Sequence, residues 1–426
     1  MDVPRCTCII LCMCLASFVA ARRYDGYKVI RITPQKTDEV AVIKSVRDRF
    51  DLDFWSDYVI VDHPINVMAP PDQVSDVISI LDKHGIRFEI TMEDIQYEID
   101  KQMADFEGEA TDRGPIKLSR FDYSSYHTMP AIDAWMDSVV ETYPNLTEIF
   151  TVTYSYEGRP IRGIKIRKPA SYNKSCAWFE GGIHGREWVS PSSMLFMIKE
   201  MVENYGVDPV VTKMIDSLDW YIVPVLNVDG YIYTFVDRLW RKDRSPNNGS
   251  YCVGTDLNRN WSFEWGGPDS QTNPCFVTYR GTGPASTVEV TGTENYLRNL
   301  SDKLVLFVDW HSFSQLWMAP WSYTPKVNEF YEDHMKFLEA AVTKLQSVYG
   351  TKYRYGPVYE IIYSASGASL DFVFGELGVK HSYAVELRDK GYYGFLLPKT
   401  QIIPTCIEAW ESAKAGVMYL LEEEGI

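Results

Sequence analysis

Hydrophobic residues follow two different patterns along the chain. Between residues 27 and 92, short apolar runs alternate with stretches of helical periodicity. The pattern predicts strands at 27–33 and 86–92, a strand or two at 58–67, helices at 37–50 and 70–85, and further helical residues at 93–106. This β-α-β-α-β order is typical of a small α+β open sandwich.

From residue 123 onward the apolar runs are continuous, as in strands that are buried on both faces. Such runs occur in a strand that ends at His184 and at 220–226, 303–310 and 382–387, with further strands expected at 146–154 and 159–167. Helical periodicity appears at 130–142, 191–205, 288–300, 329–348 and 400–423. The second part of the chain is therefore predicted to be α/β, with a mixed, mostly parallel twisted sheet and helices on both faces.

Two segments suggest how the 426 residues are divided. Residues 1–21 have the basic start, apolar centre and small-residue end of a secretory signal peptide. Residues 107–115 are charged and small without a hydrophobic period, as in an exposed linker, and Arg113, Lys117 and Arg120 offer trypsin-like cleavage sites there. We therefore expect a signal at 1–21, a small domain at 22–113 and a large domain at 114–426 in a secreted, extracellular protein.

Cysteines and charge narrow the function classes. Cys6, Cys8, Cys12 and Cys14 would leave with the signal, and the remaining four could form up to two disulfides in three connectivities: Cys176, Cys252, Cys275 and Cys406. No pair has the C-x-x-C spacing of a zinc-thiolate site. The net charge of −16, with basic residues scattered, makes nucleic acid an unexpected partner. No later run is long enough for a membrane helix, so a membrane partner is not expected.

Three residues suggest a metal site. His184 and Glu187 stand three residues apart after a predicted buried strand, and His311 follows another such strand. Imidazole and carboxylate groups bind zinc, and a catalytic site needs three protein ligands with one position open. In open α/β sheets, sites gather at strand ends. The sequence therefore predicts one Zn²⁺ per chain.

Further polar residues are candidates for chemistry. Glu386, at the end of another apolar strand, could act as a general base, or it could form an edge salt bridge with Arg388. An arginine cluster between 237 and 261 could bind a substrate carboxylate or could be a solvated basic loop: Arg238, Arg241, Arg244 and Arg259. Tyr363 lies in a polar, glycine-containing loop that could close over a ligand.

Six motifs together resemble the zinc metallocarboxypeptidases of the carboxypeptidase A/B type. They occur in the family's order and approximate spacing at 184–187, 240–242, 252–261, 311–315, 363–367 and 386–389. The resemblance covers nearly everything after the signal, including a prosegment. It implies a secreted proenzyme that hydrolyses the C-terminal peptide bond of peptides and proteins after a trypsin-like protease has removed its prosegment.

The resemblance also implies a role for individual residues. His184, Glu187 and His311 would bind zinc, Glu386 would be the general base, and Arg241 would stabilise the oxyanion. Asn258, Arg259 and Tyr363 would hold the terminal carboxylate, Tyr363 moving in as substrate binds. Arg186 and Phe395 would contact residues upstream of the cut, and Cys252 would pair with Cys275.

The resemblance also implies a substrate preference. Leu370, seven residues after Tyr363, stands where B-type enzymes have an acidic residue that holds a C-terminal Lys or Arg. An apolar residue here, with the small Ala368 and Ala384, implies an A-type preference for aromatic or aliphatic C-terminal residues. Phe313 replaces a common tyrosine, and the segment between Leu370 and Glu386 is one residue longer than is typical.

Five N-x-[ST] sequons could carry glycans in a secreted chain: Asn145, Asn173, Asn248, Asn260 and Asn299. Asn260 lies beside the carboxylate clamp that Asn258, Arg259 and Tyr363 would form, and it is predicted to carry no glycan.

Two other functions remain possible at this point. A secreted binding protein on an inactive hydrolase fold would require the loss of a ligand or the base. A zinc hydrolase of another acylated molecule would not need a carboxylate clamp.

Overall fold

A computed structural model describes residues 21–50, 52–55, 59–104, 106, 118–169, 174–267 and 270–426. Several predictions lie outside these residues. They concern signal residues 1–20 with their four cysteines, the linker at 107–115, the cleavage sites at Arg113 and Lys117, and the sequon at Asn173.

The N-terminal unit is an antiparallel sheet with helices packed on it. Among the described residues its strand order is β2-β3-β1-β4. The strands are β1 (Lys28–Ile32), β2 (Asp53–Phe54), β3 (Ile65–Ala69) and β4 (Phe88–Met92). The helices are α1 (Thr37–Arg49), α2 (Val74–Lys83) and α3 (Ile95–Ala104). Apolar residues of β1, β3, α1 and α2 form one core, as the alternating pattern predicted.

The second unit is built on a mixed sheet that is parallel at its centre. Its strand order among the described residues is β11-β10-β12-β9-β7-β8-β6-β5. The strands are β5 (Thr147–Tyr154), β6 (Pro160–Ile166), β7 (Cys176–Gly181), β8 (Asp219–Val223), β9 (Leu304–Ser312), β10 (Leu316–Ala319), β11 (Arg354–Pro357) and β12 (His381–Leu387). Strands β12, β9, β7 and β8 run parallel, so their C-terminal ends meet at one edge.

Helices flank this sheet and bury its central strands. They are α4 (Met129–Thr142), α5 (Val189–Asn204), α6 (Pro209–Ser217), α7 (Val228–Tyr233), α8 (Val288–Leu300), α9 (Tyr331–Tyr349), α10 (Val358–Ile361), α11 (Ser369–Gly375) and α12 (Ile402–Glu423). Helix α9 ends at Gly350, whose φ of 77° is the left-handed conformation that favours glycine at a helix end. The predicted fold class is confirmed.

Elements with a strong periodic signal lie where the sequence predicts them, whereas shorter ones do not appear in the prediction. The second group comprises helices α6, α7, α10 and α11 and strands β2, β10 and β11. The prediction at 58–67 is wrong in its first part, because β3 begins only at Ile65. Strand β10, for example, has four residues and is defined by its pairing with β12 and β11. Such pairing is a tertiary property that a short apolar run does not reveal.

The structure shows the state of the four described cysteines and the surroundings of the sequon at Asn260. Cys252 and Cys275 form the disulfide that the resemblance implied, whereas Cys176 and Cys406 are buried and free, so a second bridge between them is wrong. Asn260 is fully buried and its Nδ2 donates to the Arg280 carbonyl, which leaves no room for a glycan. No helix in the described part of the chain has both the length and the apolar character of a membrane crossing.

Candidate metal centre and active site

The three predicted metal ligands converge at the C-terminal edge of the parallel strands. His184 and Glu187 lie in the segment between β7 and α5, and His311 lies near the end of β9. His184 Nδ1 is 2.7 Å from Glu187 Oε1 and 3.2 Å from His311 Nδ1, and His311 Nδ1 is 3.1 Å from Glu187 Oε2. All three side chains are buried.

The outer nitrogens of both histidines face carboxylates. His184 Nε2 is 3.1 Å from Asp256 Oδ1, and His311 Nε2 is 2.9 Å from Asp309 Oδ2. A proton on each Nε2 satisfies these contacts and leaves both Nδ1 atoms as acceptors. The Nδ1 lone pairs of both histidines and the Glu187 carboxylate then converge on one position, and a bound cation would stabilise this arrangement. The donor set and its outer carboxylates fit Zn²⁺.

Asp256 lies at the centre of the charges in this region. Burial alone would raise its pKa, but the Arg241 guanidinium and His184 hold that pKa well below its ordinary value. Its Oδ2 accepts from Arg241 Nε at 3.0 Å, and Arg241 Nη1 lies 3.9 Å from Glu187 Oε1. One carboxylate therefore orients both a predicted metal ligand and the predicted oxyanion-stabilising cation.

Glu386 projects from β12 beside the predicted metal ligands, opposite His311 in the parallel register. Burial and the nearby Glu187 carboxylate raise its pKa well above the ordinary value, although His311 and Arg241 oppose the shift. Among the described residues, its Oε2 has no hydrogen-bond partner. The alternative ion pair is wrong, because Arg388 binds Glu408 instead. Glu386 is thus placed to exchange a proton.

The predicted carboxylate clamp is assembled next to the metal ligands. Asn258 and Arg259 lie in a buried 3₁₀ turn, Leu257–Arg259, that begins after Asp256. Arg259 Nη2 donates to the Tyr363 hydroxyl, and Asn258 Nδ2 lies 3.2 Å from His311 Nε2. The solvated-loop interpretation of the arginines is wrong for Arg241 and Arg259, which are buried and line the cavity.

The far end of the same cavity is apolar. Its lining residues are Met318, Val358, Ile362, Ala365, Ala368, Leu370 and Ala384, with Ser322 among them. Asp371 follows Leu370 but is directed elsewhere, since its carboxylate accepts from the Ser322 backbone N–H at 3.0 Å and from the Ser322 hydroxyl. No acidic side chain among the described lining residues lies at this end.

The N-terminal unit covers the rim of the cavity. Trp55 lines it, with ring centroids 5.2 Å from Phe395 and 6.2 Å from Phe313. Asp53 Oδ2 accepts from Arg186 Nη1 at 3.0 Å, and the Arg186 guanidinium lies 4.0 Å from the Phe395 ring centroid. Arg186 is therefore occupied by the N-terminal unit and does not line the cavity.

Several residues of this site were absent from the sequence prediction. Asp256 and Asp309 each orient a histidine, Ser369 Oγ donates to Asp309 Oδ2 at 2.6 Å, and Asp53 and Trp55 reach the rim. The polar Asp309 within an otherwise apolar run was a usable signal, because a buried strand rarely carries an unpaired acid. Of the arginine cluster, Arg238 packs on Trp188 and Arg244 on Tyr233, away from the lining.

Comparison with known proteins gives consistent matches. Residues 132–412 match the family model described as zinc carboxypeptidase, and residues 30–102 match the carboxypeptidase activation peptide. Carboxypeptidase A1 of Sus scrofa is 38% identical over 94% of this chain and 96% of its own length. Mast cell carboxypeptidase A of Rattus norvegicus is 36% identical over 95% and 97%. The crystal structure of thrombin activatable fibrinolysis inhibitor superposes with a TM-score of 0.85 at 31% identity, covering 93% of this chain and 98% of the other.

Proposed function

Because this chain belongs to the zinc carboxypeptidase family, we propose that its cavity releases single residues from the C-termini of peptides and proteins, preferring aromatic or aliphatic ones. One observation carries the proposal. A converging His-Glu-His set, a half-buried glutamate and an arginine-tyrosine clamp face one cavity with an apolar end. These are the parts that hydrolysis of a terminal peptide bond requires.

His184, Glu187 and His311 would hold the zinc ion. When bound, zinc acts as a Lewis acid toward the carbonyl oxygen and lowers the pKa of a coordinated water. The outer hydrogen bonds to Asp256 and Asp309 would fix the ring orientations of the two histidines.

The remaining polar residues would bind and orient the substrate. Arg259 would pair with the terminal carboxylate through its planar guanidinium, with Asn258 and Tyr363 as neutral partners. Arg241 would stabilise charge on the scissile carbonyl oxygen. Glu386 would accept a proton from the attacking water as its oxygen bonds to the carbonyl carbon, then return it to the nitrogen as the C–N bond breaks.

The apolar end would select the released side chain. The alanines at 365, 368 and 384 leave room between Leu370 and Met318 for an aromatic ring. A lysine side chain would lose its hydration there without meeting a carboxylate, because Asp371 is bound to Ser322. These features support an A-type preference.

The chain would be made as a secreted, extracellular proenzyme. We propose a signal at 1–21, an activation domain at 22–113 and a catalytic domain at 114–426, with cleavage by a trypsin-like protease after Arg113, Lys117 or Arg120. Support for the inhibitory role comes from Trp55 on the rim and from the Asp53 to Arg186 ion pair. A peptide could not occupy the same rim while the N-terminal unit remains there.

Hydrolysis of blocked dipeptides ending in Phe, Trp, Leu, Lys or Glu tests the proposal, before and after trypsin, with and without a zinc chelator. We expect chelator-sensitive release of Phe or Trp that appears after trypsin treatment. Release of Lys instead would support carboxypeptidase activity but refute the assignment of the apolar end as the pocket for the released side chain. Absence of activity on every substrate would favour a binding protein.

An Arg259→Ala variant separates a carboxypeptidase from a hydrolase of other acylated molecules. Loss of a charged hydrogen bond should raise KM for a free C-terminus roughly 10- to 100-fold. The matched substrate is the C-terminal amide of the same dipeptide, for which wild type and variant should behave alike. An unchanged KM for the free acid would refute the clamp.

A further inference from the structure

A group of polar contacts surrounds the outer nitrogen of His311. His311 Nε2–H donates to Asp309 Oδ2 at 2.9 Å, and the Asn258 amide nitrogen, itself a donor, packs 3.2 Å from the same Nε2 without a hydrogen bond. Ser369 joins the two, because its Oγ donates to Asp309 Oδ2 at 2.6 Å and its backbone N–H donates to Asn258 Oδ1 at 2.9 Å. We call these four residues the His311 ring.

The His311 ring joins three separate parts of the chain. His311 and Asp309 belong to β9, Asn258 to the 3₁₀ turn, and Ser369 is the first residue of α11, directly before Leu370. Asp309 and Ser369 are fully buried, and Asn258 is buried as well. Without competing water, such hydrogen bonds hold their geometry more firmly than exposed ones.

The two histidines differ in what their carboxylates serve. Asp256 orients His184 and also binds Arg241, so it links the first ligand to the carbonyl-stabilising cation. Asp309 orients His311 and also binds Ser369, so it links the second ligand to the helix that carries the wall of the apolar end. Each of the two histidines is therefore linked to a different part of the substrate site.

We propose that Asp309 and Ser369 are positioning residues that lock His311, the clamp residue Asn258 and the start of α11 into one unit, so that metal affinity depends on Ser369. The inference rests on the proposed function, because it takes His311 as a zinc ligand. Neither residue would touch substrate. Partners of this kind typically change metal affinity 10- to 100-fold when they are mutated.

The test uses the full chain, stripped of metal and titrated with Zn²⁺ against a chromophoric chelator. Asp309→Asn should weaken zinc binding at least about tenfold, and Ser369→Ala by a smaller but measurable factor. Ser369→Thr, which keeps the hydroxyl, should restore the affinity. The matched control is Ser412→Ala, which removes a fully buried hydroxyl that donates to Ala409 far along α12.

Two further readouts separate positioning from general loss of structure. The visible absorption spectrum of the Co²⁺-loaded chain should change in Ser369→Ala and stay unchanged in Ser412→Ala, because it reports ligand orientation. In a double-mutant cycle, Ser369→Ala and Asn258→Ala should be non-additive in zinc affinity, since Asn258 Oδ1 holds the Ser369 backbone and the Ser369 hydroxyl holds Asp309.

The outcomes are distinct from those of the proposed function. Wild-type affinity and cobalt spectrum in both Asp309→Asn and Ser369→Ala, or additive effects in the cycle, would overturn the His311 ring. In that case His311→Ala would still abolish tight zinc binding if the metal site is correct. If His311→Ala binds zinc like the wild type, the proposed function itself fails.

Discussion

At the metal end of the cavity, charged and polar side chains contact one another, whereas the far end is lined by aliphatic side chains and alanines. Arg241 binds Asp256, Asp256 orients His184, and Asn258 contacts His311. The far end has no comparable network. Leu370 there packs with other apolar residues, and its acidic neighbour Asp371 is directed into the protein.

The difference indicates how each end should respond to change. A hydrogen-bonded network places several groups at once, so losing one member affects reaction geometry. An apolar wall selects by volume and by the cost of burying charge, so a new size or a new charge in the wall changes which side chain it accepts. Changes at the metal end should therefore reduce kcat or raise KM for a free C-terminus, and changes at the far end should redirect specificity.

The largest effect is expected for Glu386→Gln, which keeps the shape of the side chain and removes its ability to accept a proton. General-base loss should lower kcat about a thousandfold. Steady-state kinetics on a dipeptide ending in Phe measure it, with zinc content determined in parallel. Glu339→Gln, on the exposed side of α9, is the control and should keep full activity.

A kcat within tenfold of the wild type would show that Glu386 is not the base. Loss of zinc together with activity would instead assign Glu386 a role in metal binding, and the metal end would then have a fourth protein ligand.

The two ends also differ in how much the sequence reveals. His184, Glu187, His311 and Glu386 stand at the ends of long apolar runs, where polar residues are conspicuous, and the structure brings all four together. Asp256 and Ser369 gave no such signal. Their roles depend on contacts with residues 72 and 60 positions away, to His184 and Asp309, which local pattern does not encode.

The same limit applies to the fold. Central strands such as β7 and β9 were predictable because burial on both faces makes the whole run apolar. The four-residue β10 was not predictable, although it pairs with β12 and contributes Met318 to the cavity. The apolar end is thus assembled from pieces too short to be predicted individually.

An intermediate effect is expected for Leu370→Asp, which places a carboxylate at the apolar end. Its kcat/KM for a C-terminal Phe should fall about tenfold or more, and that for Lys should rise, because a buried cation then has a partner. The two dipeptides are compared after trypsin treatment. Leu370→Asn is the matched control: it should lose the Phe preference without gaining activity on Lys.

A Leu370→Asp variant that still prefers Phe would mean that Leu370 does not contact the released side chain. Equal gains for Lys in the Asp and Asn variants would show that size, and not charge, was limiting. Either result would weaken the contrast between a catalytic metal end and a selective far end.

The smallest effect is expected at the adjacent residue, in Asp371→Asn. Burial raises the pKa of Asp371 from 3.8 to about 7, against the hydrogen bonds from Ser322. Between pH 4 and 7 the folded chain therefore keeps a proton that the unfolded chain releases, so this carboxyl lowers stability as pH rises. Removing it should shrink the decrease in Tm from pH 5 to pH 8 by a few degrees.

Calorimetry of the zinc-loaded full chain at both pH values measures that decrease. Asp333→Asn is the control, because the hydrogen bond from Lys380 lowers the pKa of Asp333 below 3.8 and its titration lies outside this range. An Asp371→Asn decrease equal to that of the wild type would mean that Asp371 is ionised in the folded chain at pH 5. The ionised Asp371 carboxylate would then lie behind Leu370 already at pH 5, and a preference for apolar residues would have to arise from the shape of the cavity alone.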